Sequence, residues 1–256
     1  MKIAVSGKGG TGKSTVTAAL ALILAEQGSR VLAVDADPDG NLASALGISE
    51  EEQKKIVTIA KQKELIEERT GAKVSQYGQI FKLNPDVSDI ADVYAYNLGR
   101  ISLLVLGAIG KGGGGCACPE SSLLRALVQD LVLYRNDILL MDMEAGIEHL
   151  GRSTAMGIDV LLVVAEPGQR AIDSARRIAR LAGEIGIADI RLVINKIRSA
   201  EEELFVRNSL PGFSVIGAIP FNEELLRSDR DGVSVMEGLD DRARSIFAGI
   251  LGDLRK

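Results

Sequence analysis

Gly7-Lys8-Gly9-Gly10-Thr11-Gly12-Lys13-Ser14-Thr15 lies between an apolar run, Lys2-Ile3-Ala4-Val5-Ser6, and a segment with Val16, Leu20, Ile23 and Leu24 at helical spacing. The stretch fits G-x-x-x-x-G-K-[ST], the pattern of a phosphate-binding loop. A buried strand, a glycine turn and a helix N-terminus in succession aim backbone N–H groups and a helix dipole at one anion. Glycine is required where the backbone curls so tightly around anionic oxygens that a Cβ would intrude. In such a loop Gly9, Gly10, Thr11, Gly12, Lys13, Ser14 and Thr15 form the cradle. Lys13 reaches the β- and γ-phosphates, and the Ser14 hydroxyl ligates Mg²⁺.

Working outward, the 256 residues are 46% hydrophobic and 25% charged. That composition suits one large α/β domain over 1–256, able to bury roughly 70–75% of its unfolded surface. The net charge of −5 and the lack of a long basic tract argue against nucleic acid or an anionic membrane as partner. No apolar run approaches the roughly 18 residues of a membrane span. The first strand begins at residue 2, so no leader is expected. Two cysteines one residue apart make no disulfide framework and point to the reducing cytoplasm.

Further apolar runs read as buried strands at 29–35, 100–106, 137–142, 158–165, 189–196 and 213–219. Helices are expected at 14–27, 122–134, 170–185 and 240–255. The charged segment 50–70, closed by Gly71, reads as a solvated helix or pair of helices. Residues 80–83 read as a short strand and 87–95 as irregular or another short strand. Alternating strands and helices give a single doubly wound domain with a mainly parallel sheet. Asp35, Asp37 and Asp39 fall at the carboxyl end of the second strand, where ligands bind in such sheets. Asp142 ends another apolar strand, the pattern in which a carboxylate orients a Mg²⁺-bound water.

Lys8 makes the loop a two-lysine one, K-G-G-T-G-K-S, and here the chain resembles the deviant Walker A ATPases of the MinD/ParA/nitrogenase-iron-protein class. The resemblance implies that Lys8 reaches across a dimer interface to the partner's phosphates, acting when two subunits close in the manner of an arginine finger. It implies a homodimer in the ATP state. It gives Asp37 the roles of positioning the attacking water and helping Ser14 and Asp142 hold Mg²⁺, and makes Lys8, Lys13 and Asp37 the catalytic residues. Gly146 would lie close to the γ-phosphate, and Pro220 and Phe221 over the base. Asn195-Lys196-Ile197-Arg198 resembles the base-reading N-K-x-D of GTPases, but Arg198 has no acceptor with which to read guanine, so the nucleotide is ATP or ADP.

Cys116-Ala117-Cys118 follows four glycines and precedes a helix, whose N-terminus favours thiolate. One C-x-C supplies two ligands, too few for a closed tetrahedral site. Two copies about a two-fold axis would supply four, a soft site suited to Zn²⁺, Ni²⁺ or Cu⁺ or, with more room, an iron–sulfur cluster. The set K-G-G-T-G-K-S, D-A-D-P-D, G-C-A-C-P-E-S and D-M-E-A-G-I-E-H-L-G-R, in this order, is similar to the CooC-type accessory ATPases. These mature the nickel–iron–sulfur cluster of carbon monoxide dehydrogenase. The resemblance implies Ni²⁺ or Zn²⁺ at Cys116 and Cys118 and the apo-dehydrogenase, or acetyl-CoA synthase, as client. His149, the single histidine, reads as a structural switch-loop residue, and Glu144 and Glu148 as switch or partner contacts. A MinD-like membrane-associated regulator is the competing reading. It rests on the apolar face of 245–256, which has basic ends.

Overall fold

A computed structural model describes residues 1–37, 40–74, 78–107, 118–135, 138–144, 152–155 and 157–255. Its strands are β1 Lys2–Ser6, β2 Val31–Ala36, β3 Tyr96–Leu98, β4 Ile101–Val105, β5 Ile138–Met143, β6 Val160–Ala165, β7 Ile190–Ile197 and β8 Ser214–Pro220. Its helices are α1 Lys13–Glu26, α2 Leu42–Ala45, α3 Glu50–Gln53, α4 Lys63–Thr70, α5 Ile90–Tyr94, α6 Pro119–Tyr134, α7 Arg152–Ala155, α8 Gln169–Ile185, α9 Ala200–Ser209, α10 Glu223–Asp231 and α11 Asp241–Leu254.

The strands form one sheet in the order β3-β4-β2-β5-β1-β6-β7-β8. Every pairing is parallel except β3 with β4. Strands covered on both faces can be apolar throughout, and all six residues of β6 are buried. One core packs α4, α5, α6, α8 and α9 against one face of the sheet. A second packs α1, α2 and α11 against the other. The doubly wound α/β fold expected from the sequence is therefore the fold observed. β1 is central, and the glycine loop leaves its carboxyl end.

The helices follow from their apolar spacing. α8 buries Ala171, Ile172, Ala175, Ile178 and Ala182 on one stripe and turns its arginines outward. α11 buries Phe247, Ile250, Leu251 and Leu254 and packs against β8. The apolar face that the membrane reading needs is thus inside the protein. Among the described residues no helix is long and apolar enough to cross a membrane.

Three expectations are corrected. Residues 80–83 form no strand: Ile80 is 97% and Leu83 66% exposed, and one backbone bond, Lys82 N–H to Thr70 O, holds the segment. Asn84-Pro85 cuts the run short, and β3 takes the sheet edge instead. Residues 87–95 contain α5, which buries Ile90 and Ala91. The segment 50–70 is not simply solvated. It breaks after α3 because Thr58 bridges Val105 and Ala60 N–H bonds Leu106 O, and it buries Ile59, Leu65 and Ile66.

Candidate nucleotide site

The loop between β1 and α1 is held by side chains that capture its carbonyls. Thr11 donates to Lys8 O through both its N–H (3.2 Å) and its hydroxyl (2.8 Å). Asn195, at the end of β7, donates from Nδ2 to Thr11 O at 2.8 Å. The Lys196 ammonium donates to Gly10 O. Gly12 has φ +91°, and a Cβ there would sit 2.3 Å from Asn195 Nδ2, so only glycine fits. Lys8, half-buried at the start of the turn, has one weak side-chain contact among the described residues, to Gly9 O at 3.4 Å.

Behind the loop lies a charged floor. Lys13 is 7% exposed, and its ammonium lies 3.5 Å from Asp37 Oδ2. The Ser14 hydroxyl donates to Asp142 Oδ2 at 2.5 Å. Asp142 is fully buried and its other oxygen, Oδ1, has no hydrogen-bond partner among the described residues. Asp35 stands opposite Asp142 in the β2–β5 register. Removal from water pushes Asp142 up to about 7; the Ser14 hydroxyl opposes this and the charge of Asp35 adds to it. Burial likewise raises Asp35 to about 6, against the two backbone N–H groups it accepts.

The orphaned Asp142 oxygen, the Ser14 hydroxyl and the Asp37 carboxylate are hard oxygen donors beside a phosphate cradle. This donor set fits Mg²⁺, which binds through one or two carboxylates and phosphate oxygens. Asp35 was legible as part of the acidic run but not as an organiser. It accepts from Asp37 N–H (3.2 Å) and Leu42 N–H (3.1 Å), and Gly40 passes so close that a Cβ would lie 2.6 Å from its Oδ2. A carboxylate ending a buried strand and followed by a turn sequence is the signal that marks this role.

The far wall of the site comes from β7 and β8. Arg198 stacks over the Phe221 ring at 4.5 Å, and Phe221 N–H bonds Ile197 O at 2.8 Å. Pro220 and Phe221, with Asn222, Glu223, Asp240 and Arg242, line a cavity of about 270 Å³. Asn195 and Lys196 do not line that cavity; Asn195 Nδ2 and the Lys196 ammonium reach the loop, and Asn195 Oδ1 accepts from the Lys196 N–H. Cys118 is the N-cap of α6. Its sulfur accepts from Ser121 N–H at 3.4 Å and lies 3.0 Å from the Ser121 hydroxyl. Cys116, Gly146, Glu148 and His149 lie outside the described residues. No three His, Cys, Asp or Glu side chains among the described residues gather into a metal-binding group.

Residues 2–235 match the family described as the CobQ/CobB/MinD/ParA nucleotide binding domain. The carbon monoxide dehydrogenase accessory protein CooC of Rhodospirillum rubrum is 41% identical over 254 residues, covering 98% of this chain and 96% of that one. An uncharacterized ATP-binding protein of Methanocaldococcus jannaschii is 43% identical over 246 residues, 95% of this chain and 93% of the relative. Among solved structures, a ParA family ATPase from Chlorobium tepidum superposes with a TM-score of 0.69 at 18% identity, covering 98% of each chain. The Pyrococcus horikoshii MinD complexed with Mg-ADP superposes at 0.66 and 20% identity, over 100% of this chain and 96% of that one.

Proposed function

This chain belongs to the CobQ/CobB/MinD/ParA nucleotide-binding family and is a CooC-type ATPase within it, and from that premise we propose that it couples ATP hydrolysis to nickel delivery. In this reading the whole chain, 1–256, acts as one ATPase unit that pairs with a second copy when ATP is bound. Its client is the apo-form of carbon monoxide dehydrogenase or of acetyl-CoA synthase. The observation that carries the reading is full-length likeness to an accessory protein of that dehydrogenase, in a chain whose Cys118 stands at the head of a helix.

The loop amides and Lys13 bind the triphosphate. Ser14, Asp37 and Asp142 would hold Mg²⁺, which when bound neutralises charge on the phosphates. Asp37 orients the attacking water, its backbone N–H held by the Asp35 carboxylate. Lys8 of each protomer enters the other's site and stabilises charge that develops on phosphoryl transfer. Pro220 and Phe221 face the base. Pairing draws together Cys116 and Cys118 of both copies, four thiolates that take Ni²⁺ or Zn²⁺ as cargo. Hydrolysis separates the copies and releases the cargo to the client.

The competing reading, a membrane-associated spatial regulator, needs Phe247, Ile250, Leu251 and Leu254 on a bilayer, and these are buried. The test measures nickel and zinc per dimer in the wild type and in a Cys116→Ala/Cys118→Ala double variant with ATP present. Metal is expected in the wild type alone; equal content in both ends the cargo reading. Lys8→Ala is expected to keep ADP affinity within about twofold and to lose ATP-driven pairing, since that lysine acts in the partner's site.

A further inference from the structure

Lys196 is, among the described residues, the one non-glycine residue with positive φ, at 61°. That region is sterically costly for a side chain with a Cβ and persists where the surroundings enforce it. Three contacts account for it. The Lys196 N–H bonds the side-chain oxygen of Asn195 at 2.9 Å, and its ammonium reaches Gly10 O with the Glu166 carboxylate 3.7 Å away. Glu166 directly follows β6, so one ammonium joins the ends of β6 and β7 to the far tip of the glycine loop.

The tip has little else to hold it. A Cβ built on Gly9 or Gly10 would meet nothing within 4 Å. Besides Asn195 on Thr11 O, the restraints on the loop carbonyls among the described residues are Thr11 on Lys8 O and the 3.4 Å contact of Lys8 with Gly9 O. The tip is also the segment that carries Lys8. We infer that Lys196, oriented by Glu166, is a positioning residue that fixes the Gly9–Gly10 tip and so sets where Lys8 is presented to a second copy of the chain. The half about the second copy rests on the proposed function above; the half about the tip does not. Glu166 steers the ammonium by charge and Gly10 O receives it, so neutralising the carboxylate loosens the clamp without removing the lysine.

Two variants of the full chain test this. Lys196→Asn keeps a residue tolerant of left-handed backbone but too short to reach Gly10, and Glu166→Gln removes the charge. ¹⁵N relaxation of the nucleotide-free protein is expected to show the Gly9 and Gly10 order parameters fall from about 0.85 to below about 0.6 in Lys196→Asn, with a smaller fall in Glu166→Gln. Unchanged order at both glycines in Lys196→Asn overturns the inference. With Mg-ATP, sedimentation should show pairing weakened about tenfold, and kcat per folded molecule, the folded fraction being taken from circular dichroism, should fall about tenfold with KM within about twofold. Wild-type kcat and pairing in a variant whose tip is loosened would overturn the link to Lys8. Should the wild type itself fail to pair with ATP, the two-copy reading falls, and the order parameters still decide the clamp.

Discussion

Replacing Asp142 by asparagine isolates the cost of a buried charge at the floor of the site. Asp142 has no exposure, and burial first, then the neighbouring charge of Asp35, lift its pKa from 3.8 to about 7 despite the Ser14 hydroxyl. A carboxyl whose folded pKa lies above its unfolded one binds more protons when folded. Stability therefore declines as pH rises through the window from about 4 to about 7. At 1.36 kcal/mol per pH unit, the full gap corresponds to roughly 4 kcal/mol above pH 7, of which roughly a third is already present at pH 5. Asparagine has nearly the same volume, can accept from Ser14 and has no charge to desolvate. Its amide places an unbonded donor where Oδ1 stands, a penalty of about 1–3 kcal/mol that does not vary with pH. The diagnostic is thus a slope rather than an offset. Urea unfolding of the nucleotide-free protein should show the stability of Asp142→Asn minus wild type rising by about 2–3 kcal/mol from pH 5 to pH 8 and levelling beyond it. The same variant should lose the extra stabilisation that Mg-ADP gives over ADP in the wild type. A difference constant to within about 0.5 kcal/mol across that range would refute the buried-charge reasoning.

Two further outcomes are expected. Gly12→Ala forces a Cβ to within 2.3 Å of Asn195 Nδ2 at φ +91°, and should lose about 2 kcal/mol or more in urea unfolding and at least about tenfold in ADP affinity by calorimetry, whereas Gly9→Ala should stay within about 0.5 kcal/mol. Cys118→Ser keeps an acceptor for Ser121 N–H and Cys118→Ala removes it, so thermal unfolding should place the alanine variant about 1 kcal/mol below the serine one while both bind less nickel or zinc than the wild type.

The parallel sheet was legible because both of its faces are covered: the strands β1, β2, β4, β5, β6 and β7 appear in the sequence as near-continuous apolar runs. α8 and α11 were legible because each buries a full stripe. The elements that escaped reading bury almost nothing. α9 buries Val206 alone and α10 Ser228 alone, so neither carries an apolar period, and their caps, Ser199 and Asn222, were the available signals. β3 is three residues with no buried side chain. Conversely, Ile80-Phe81-Lys82-Leu83 has the composition of a strand but pairs with no strand among the described residues, and composition cannot report that.

At the site, sequence supplied the atoms and the fold supplied their targets. The pattern around Lys13 and Ser14 identified a phosphate cradle, and the strand ending in Asp142 identified its acidic partner. The pattern N-K-x-R suggested contact with a base, but Asn195 and Lys196 reach Thr11 and Gly10, more than 180 residues away in the chain. What these targets build has one consequence for chemistry. Among the described residues the buried charged side chains are Lys13, Asp35 and Asp142, with Asp37 close by on Lys13. One cation faces three carboxyl groups, and burial has already driven two of them toward their neutral forms. A site in that balance favours a ligand that brings positive charge to the carboxylates and negative charge to the loop amides together. Phosphate accompanied by a hard divalent cation satisfies both demands, and either one alone leaves the other uncompensated. Nucleotide and metal should therefore bind cooperatively, each raising the affinity of the other by the same factor.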